Sequence, residues 1–305
     1  MDILLNLITV NLEQGFMYAL LALGVYVTYS ILDFPDLSVD GTVPLGAVIS
    51  AVLILKGVNP WLATIAAFAA GAIAGCVTGL LHVKLKIRPL LCGILVMTAL
   101  LSINLVIIKA GTGGKSVASL FSSKEITTSA PASFISSDIG GRNLRPLIVM
   151  FLLAIIAKLL LDLYFATKSG MLLRATGSNQ QYVTMLAKDP GNSKILGLSI
   201  GNGFAAFAGA AIAQSTGSAS LQLGTGMVVI GLASVIIGLS LFRKIKFLKP
   251  TTKVILGTII YKACLSVAER IGLSDWLKFI MAALCVVALV AGSALDKGKA
   301  VSGND

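Results

Sequence analysis

The stretch Asp33-Phe34-Pro35-Asp36-Leu37-Ser38-Val39-Asp40-Gly41-Thr42-Val43-Pro44 lies where two apolar runs of the chain meet. Its two prolines and its glycine forbid one continuous helix, because proline removes a backbone hydrogen-bond donor and clashes with the preceding turn. The apolar runs on both sides leave this polar stretch little room to reach water. The sequence therefore predicts a helix that is broken inside a membrane.

Similar apolar runs fill the rest of the chain. A helix needs about 20 mostly apolar residues to cross the hydrocarbon core of a bilayer. The sequence predicts nine membrane segments, at residues 14–32, 41–56, 60–82, 89–109, 146–166, 195–213, 225–242, 253–271 and 276–293. We therefore expect an all-α, polytopic integral membrane protein that forms a single transmembrane domain over residues 1–305, with some of its segments broken.

The composition excludes an ordinary soluble protein. The chain is 56% hydrophobic and 12% charged, whereas a soluble domain usually carries about 25% charged residues. Its net charge of +11 lies in short loops between apolar runs, so it indicates topology rather than a nucleic-acid surface. The one histidine, His82, and the four cysteines form no cluster, so no metal site and no cofactor are expected on this chain.

The basic loops orient the segments, because cytoplasmic loops of membrane proteins are rich in lysine and arginine. The loops at 84–88 and 243–253, the tail and a loop at 167–194 are basic, which places them in the cytoplasm. This arrangement predicts an external N-terminus, a cytoplasmic C-terminus and a long external loop at 110–145.

A second break, rich in Ser, Thr, Gly and Gln, runs from Ser215 to Gly226. Like the first break, it follows a Gly/Ala-rich helix and precedes a short apolar helix. The two helix pairs run in opposite directions under the predicted topology. This pattern is typical of inverted repeats, in which broken helices meet near the membrane midplane and form a substrate site.

The loop at 167–194 carries signals for a short amphipathic helix. Ser178 and Gln181 fit a capping box, and Tyr182, Met185 and Leu186 share one face at helical spacing. The helix could lie on the membrane surface as a linker. It could also be a coupling helix that docks its apolar face on a cytoplasmic ATPase. The chain has no Walker A loop, so an ATPase would be a separate subunit.

Ionisable residues at membrane depth are candidates for function. Lys158 and Asp162 are four residues apart and can pair on one helix. Asp33, Asp36 and Asp40 could contact a substrate or carry protons. Ser38 and Asp40 could instead cap the short helix that starts near Gly41.

Five motifs carry a resemblance to a known family. They are Asp36 to Gly46, Gly79 to Ile87, Leu91 to Asn104, Leu173-Arg174-Ala175-Thr176-Gly177 and Gly231 to Gly238. With these motifs the chain resembles the permease subunits of bacterial branched-chain amino-acid ABC importers. It is most similar to a subgroup linked to amino-acid uptake, including that of aromatic amino acids.

The resemblance implies the partners and the site. It implies a permease pair, most simply a homodimer, in the bacterial cell membrane, with a cytoplasmic ATPase dimer that binds ATP and an external substrate-binding lipoprotein. The substrate path would hold Asp36, Ser38, Asp40, Gly41, Thr42, Thr98, Asn104, Gln214, Ser215 and Thr216. The ATPase-coupling residues would be Arg174, Gly177, Gln181, Tyr182, Met185 and Leu186. Several of the polar path residues could equally hold helices together by hydrogen bonds.

Two other classes compete with this interpretation. An ion-coupled secondary carrier also uses broken helices and inverted repeats, and it would need titrating carboxylates on its path. An intramembrane aspartyl enzyme would need two carboxylates that face each other across helices. The three aspartates here lie on one short stretch, which disfavours the enzyme.

Overall fold

The computed structural model of the chain describes residues 2–120, 138–139, 142–143, 145–185, 189–243, 245, 247–270, 276, 283, 286 and 287. Within those residues the chain forms ten α-helices. They are α1 (Asp2–Val25), α2 (Val39–Leu55), α3 (Pro60–Lys84), α4 (Pro89–Thr112), α5 (Arg145–Ala166), α6 (Lys168–Ser178), α7 (Gln180–Met185), α8 (Pro190–Thr216), α9 (Met227–Leu241) and α10 (Pro250–Arg270).

Short elements complete the chain. A π-helical turn (Tyr26–Ile31) extends α1, and a 3₁₀ turn (Leu221–Gly224) precedes α9. Strand β1 (Val117–Ser119) pairs in antiparallel fashion with β4 (Ser218–Ser220), and β2 (Asp138–Ile139) pairs with β3 (Arg142–Asn143). The β1–β4 pair joins the segment after α4 to the segment after α8.

The helices confirm the predicted all-α, polytopic class. Seven helical segments of the described residues are long and apolar enough to cross a membrane, and α2 is a shorter apolar helix. Together they match the first eight predicted segments. The predicted ninth segment, 276–293, lies outside the described residues apart from residues 276, 283, 286 and 287.

Small residues let α8 pack tightly at the centre of the bundle. A Cβ at Gly75 of α3 would overlap the carbonyl oxygen of Leu198, and one at Gly46 of α2 would overlap that of Ala206. Close backbone approach of this kind is what holds membrane helices together, since lipid offers no hydrophobic drive for their association. The helix α8 therefore provides the surface on which α2 and the first break pack.

The bundle has two distinct ends. At one end α6 packs beside the π-helical turn after α1, the end of α5 and the first part of α8, as shown by the contacts of Gly177 with Ile31, of Gly170 with Tyr164 and of Gly197 with Leu173. This is called the α6 end below. At the other end the β1–β4 pair covers the ends of α2, α4 and α8, with Ala118 and Ala219 buried against Ile54 and Ala213. This is called the sheet end.

The first break ends where α2 begins, at Val39, so it is shorter than the sequence predicted. Pro35 lies in the non-helical link before α2, but Pro44 lies inside α2. The expectation that both prolines interrupt the helix was therefore wrong for Pro44. Because Pro44 has no N–H, the carbonyl of Asp40 lacks its usual helical partner and is free to face a neighbouring segment.

Candidate functional site

A buried polar cluster holds the first break against α8. The Asn202 side chain donates to the Asp36 carboxylate at 2.7 Å. Its oxygen accepts from Ser38 at 3.1 Å and from Thr42 at 2.8 Å. The Ser38 N–H also donates to Asp36 at 2.9 Å. All four side chains are buried, so this cluster fixes the link before α2 in a single arrangement.

The carboxyl of Asp36 lies in the link between two helices and is fully enclosed. The Ser38 N–H donates to one oxygen of this carboxyl, and the Asn202 amide donates to the other. Both oxygens of this buried carboxyl therefore have hydrogen-bond donors.

Asp40 connects the two breaks of the chain. Its carboxylate accepts from the backbone N–H of Val228 at 2.8 Å, in the first turn of α9. The backbone N–H groups of Gly226 and Met227 also interact with it. Asp40 therefore caps α9, so the alternative in which its side chain caps α2 does not describe the structure. The Ser38 side chain makes no capping bond either.

The second break comes back into the bundle to meet the first. A Cβ at Gly224 would overlap the free carbonyl oxygen of Asp40, so only glycine fits this contact. Gly226 has a φ of +83°, a left-handed conformation that glycine adopts readily, and α9 begins at the next residue. The N-termini of the interrupted helices α2 and α9 thus lie side by side.

This meeting point lies about halfway along the bundle. Gly41 packs on α4 so that a Cβ there would lie 3.0 Å from Cβ of Leu100. Leu100 is 11 residues after Pro89 and 12 residues before Thr112, the ends of α4. At about 1.5 Å per residue it lies about 17 Å and about 18 Å from those ends. The breaks therefore meet near mid-depth.

The other two predicted path residues of the first half lie on α4. Asn104 is buried and donates to the carbonyl of Gly41 at 3.0 Å, while its own side-chain oxygen is buried without a hydrogen-bond partner. Thr98 is exposed on the opposite face and donates to Leu95 of its own helix at 2.9 Å. The structure therefore brings Asn104, but not Thr98, to the meeting point of the breaks.

The predicted path residues at the end of α8 lie near the sheet end. Gln214 donates to Ser50 at 2.8 Å and to Thr64 at 3.0 Å, which ties α8 to α2 and α3. Ser215 donates to Glu13 at 2.9 Å. Thr216 donates to the carbonyl of Ile212 at 2.8 Å. These three residues make bonds between or within helices, and they lie apart from the cluster around Asp36 and Asp40.

The predicted coupling region forms two helices rather than one. Residues 168–178 are already helical, and Ser178 ends α6 instead of capping the next helix. The predicted Ser178–Gln181 capping box was therefore wrong. Asn179 takes this role, since its side chain accepts from the N–H of Tyr182 at 3.0 Å.

The apolar face of α7 is open. Tyr182 is 56% exposed and Met185 is 83% exposed, and Gln181 is exposed beside them. Leu186 lies outside the described residues.

The helix α6 packs on its neighbours through the other two predicted coupling residues. Gly177 packs so tightly on the π-helical turn that a Cβ would overlap the carbonyl oxygen of Ile31, and Arg174 covers the ring of Phe165 at 4.6 Å. The helix α6 therefore lies between α7 and the end of α1 in the chain and contacts that end directly.

Lys158 and Asp162 pair as predicted, at 3.3 Å. Asp162 also contacts Lys249 at 3.3 Å and accepts from Thr251 at 2.7 Å, so it joins α5 to the start of α10. These contacts give the pair a structural role near the α6 end.

Sequence reasoning missed Asn202, which organises the whole first break. A signal was present, because Asn202 is a strongly polar residue inside a Gly/Ala-rich membrane helix, where such residues mark functional or structural hydrogen bonding.

A polytopic helical bundle in which two interrupted helices meet at mid-depth is the architecture of many membrane transport proteins. Residues 7–289 match the family described as the permease component of branched-chain amino acid transport systems. The chain belongs to this family, and it is a multi-pass membrane protein.

Three relatives show the range of the family. The chain is 41% identical over 283 residues to the tyrosine transport system permease protein of Clostridioides difficile, covering 92% of this chain and 90% of that protein. It is 31% identical to an uncharacterized protein of Rickettsia prowazekii, covering 93% and 97%. It is 29% identical to the autoinducer 2 import system permease protein of Salmonella typhimurium, covering 67% and 54%. No solved structure matches the chain.

Proposed function

We propose that this chain forms the translocation path of an ATP-driven ABC importer for a small solute, namely an amino acid, with aromatic amino acids as the first candidates. The observation that carries the proposal is the contact between Asp40 and Val228, which joins two interrupted helices at mid-depth. The family and the tyrosine transport relative support the choice of solute.

The partners follow from the same proposal. A cytoplasmic ATPase dimer binds the open apolar face of α7, which holds Tyr182 and Met185. An external binding lipoprotein delivers the solute at the sheet end, and a second copy of this chain completes the path. The α6 end is then cytoplasmic, in agreement with the basic loops.

The path residues in this proposal are those near the two breaks. Asp36, Ser38 and Thr42 hold the break in place through Asn202. Asp40, Gly41 and Asn104 lie where the start of α2 contacts α4 on one side and α9 on another. ATPase closure moves α7 and α6, and the contact of Gly177 with Ile31 passes this movement to α1.

The test is purification from gently solubilised native membranes, followed by reconstitution into vesicles with the co-purifying subunits. We expect an ATPase in the eluate, and uptake of labelled tyrosine that requires ATP on the side of the α6 end. Uptake that needs no ATP and follows an imposed proton gradient would instead establish an ion-coupled carrier. Competition by other amino acids then defines the solute.

A further inference from the structure

The segment between α8 and α9 crosses half of the bundle without forming an α-helix. This re-entrant segment, residues 217–226, starts at the β1–β4 pair and ends beside Asp40. It contains one strand and one 3₁₀ turn. Because Gly224 touches the Asp40 carbonyl, the second half of the segment lies near mid-depth.

Two polar side chains of the re-entrant segment are exposed at this depth. Gln222 and Thr225 are both exposed, whereas Leu223 and Gly224 between them pack inward against α2. At about 2 Å of rise per residue in a 3₁₀ turn, Gln222 lies only about 4 Å along the axis from Gly224. The exposed face of the re-entrant segment therefore carries the polar side chains of Gln222 and Thr225, and its backbone is not α-helical.

Such a face is incompatible with lipid. In a hydrocarbon core every backbone polar group must be satisfied internally, so irregular backbone at membrane depth is tolerated only where it is buried in protein or lines a water-filled cavity. The contrast with α3 is clear, since its exposed residues Ile65, Ile73 and Leu80 are all apolar. The face of Gln222 and Thr225 therefore points away from the bilayer.

We infer that Gln222 and Thr225 line the aqueous path and contact the solute, in place of Gln214, Ser215 and Thr216 at the end of α8. The inference rests on the proposed function for the existence of a path. The carboxylate of Asp40, which lies beside the end of this segment, is already bound by backbone N–H groups of α9. The contacting groups are then a neutral amide and a neutral hydroxyl, which suit a small polar solute without net charge, such as a zwitterionic amino acid.

The experiment is thiol accessibility in the full chain. Gln222→Cys and Thr225→Cys are made separately in a background whose four native cysteines are replaced by alanine, and reconstituted vesicles are treated with a membrane-impermeant methanethiosulfonate from either side. Ile73→Cys is the matched control, because Ile73 is 66% exposed but lies on the apolar face of α3. We expect both new thiols to react at least about tenfold faster than Cys at position 73, since the reactive thiolate forms in water and not in hydrocarbon.

The labelling needs no transport, so it separates this inference from the proposed function. Fast labelling that slows when tyrosine is added supports contact with the solute, even if no ATP-driven uptake is found. If both positions label as slowly as the position 73 control from both sides, the inference is overturned. The face of Gln222 and Thr225 then lies at a dry subunit interface. A Gln222→Ala variant should also raise KM for uptake more than it lowers kcat, and an unchanged KM would overturn the contact.

Discussion

The carboxylate of Asp40 caps α9 by accepting the N–H of Val228 at 2.8 Å, across 188 residues of sequence. Each half of the chain thereby supplies one partner of a contact at the point where both membrane helices are interrupted. Because the free N–H groups of a helix start carry partial positive charge, a carboxylate is well suited to this position.

Replacing Asp40 with alanine should impair transport more than assembly. The substitution leaves the first N–H groups of α9 without their acceptor, a loss of about 1 kcal/mol or more for a helix cap. A loss of about 1 kcal/mol lowers the population of the paired arrangement about fivefold, so we expect uptake to fall by about that factor while co-purification of the other subunits stays at the wild-type level. Asp40→Asn is the control, since its amide oxygen can still accept a hydrogen bond. Normal uptake by Asp40→Ala at normal expression would remove this contact from the mechanism.

Asn202→Ala should destabilise the protein strongly. It removes one donor to the Asp36 carboxylate and the acceptor of the Ser38 hydroxyl, while Thr42 keeps its bond to the Ser38 carbonyl, and each buried group left unsatisfied costs about 1–3 kcal/mol. The measurement is thermal unfolding of the detergent-solubilised protein. Ser199→Ala on the same helix loses one half-buried bond, to Ala72, and should lower the melting temperature much less. Equal losses for the two variants would contradict the central role of Asn202.

Local signals in the sequence predicted most of the fold. Pro35, the run of small residues in α8 and the Gly224-Thr225-Gly226 stretch all act over a few residues, so both breaks and the first eight segments could be placed without a structure. The capping assignments failed for the opposite reason. The position of Asp40 at the start of α2 suggests that its carboxylate caps α2, but the carboxylate accepts from an N–H of α9 instead. No local sequence pattern distinguishes these two helix starts as the partner.

The candidate site was predicted less completely, for a similar reason. Gln214 and Asn202 are both polar residues of α8, yet Gln214 binds Ser50 and Thr64 near the sheet end while Asn202 binds the first break. Which polar residue faces which neighbour depends on the rotation and height of the packed helix. These are set by close contacts such as Gly46 with Ala206, which one sequence does not reveal.

The double substitution Tyr182→Asp with Met185→Asp should abolish binding of the ATPase. Both side chains are exposed and apolar, and two buried charges would be costly at a hydrophobic contact. Thr184→Asp is the matched control, because Thr184 is exposed on the same short helix but polar. The measurement is the ATPase recovered with the tagged chain. Undiminished recovery with the double variant, at normal membrane insertion, would exclude α7 as the docking helix.

Gly177→Ala should uncouple ATP hydrolysis from transport. A Cβ at this position would overlap the carbonyl oxygen of Ile31, and that atom belongs to backbone that cannot rotate away, so α6 must move off the end of α1. The face of α7 that holds Tyr182 and Met185 stays intact, so the ATPase should still bind and hydrolyse ATP. We expect reconstituted vesicles to keep most of their ATPase activity and to lose most of their uptake. Ser178→Ala, next in sequence and exposed, should change neither activity. If Gly177→Ala lowered hydrolysis and uptake in equal proportion, α6 would be part of the ATPase contact itself, and the movement would have to reach the membrane helices by another route.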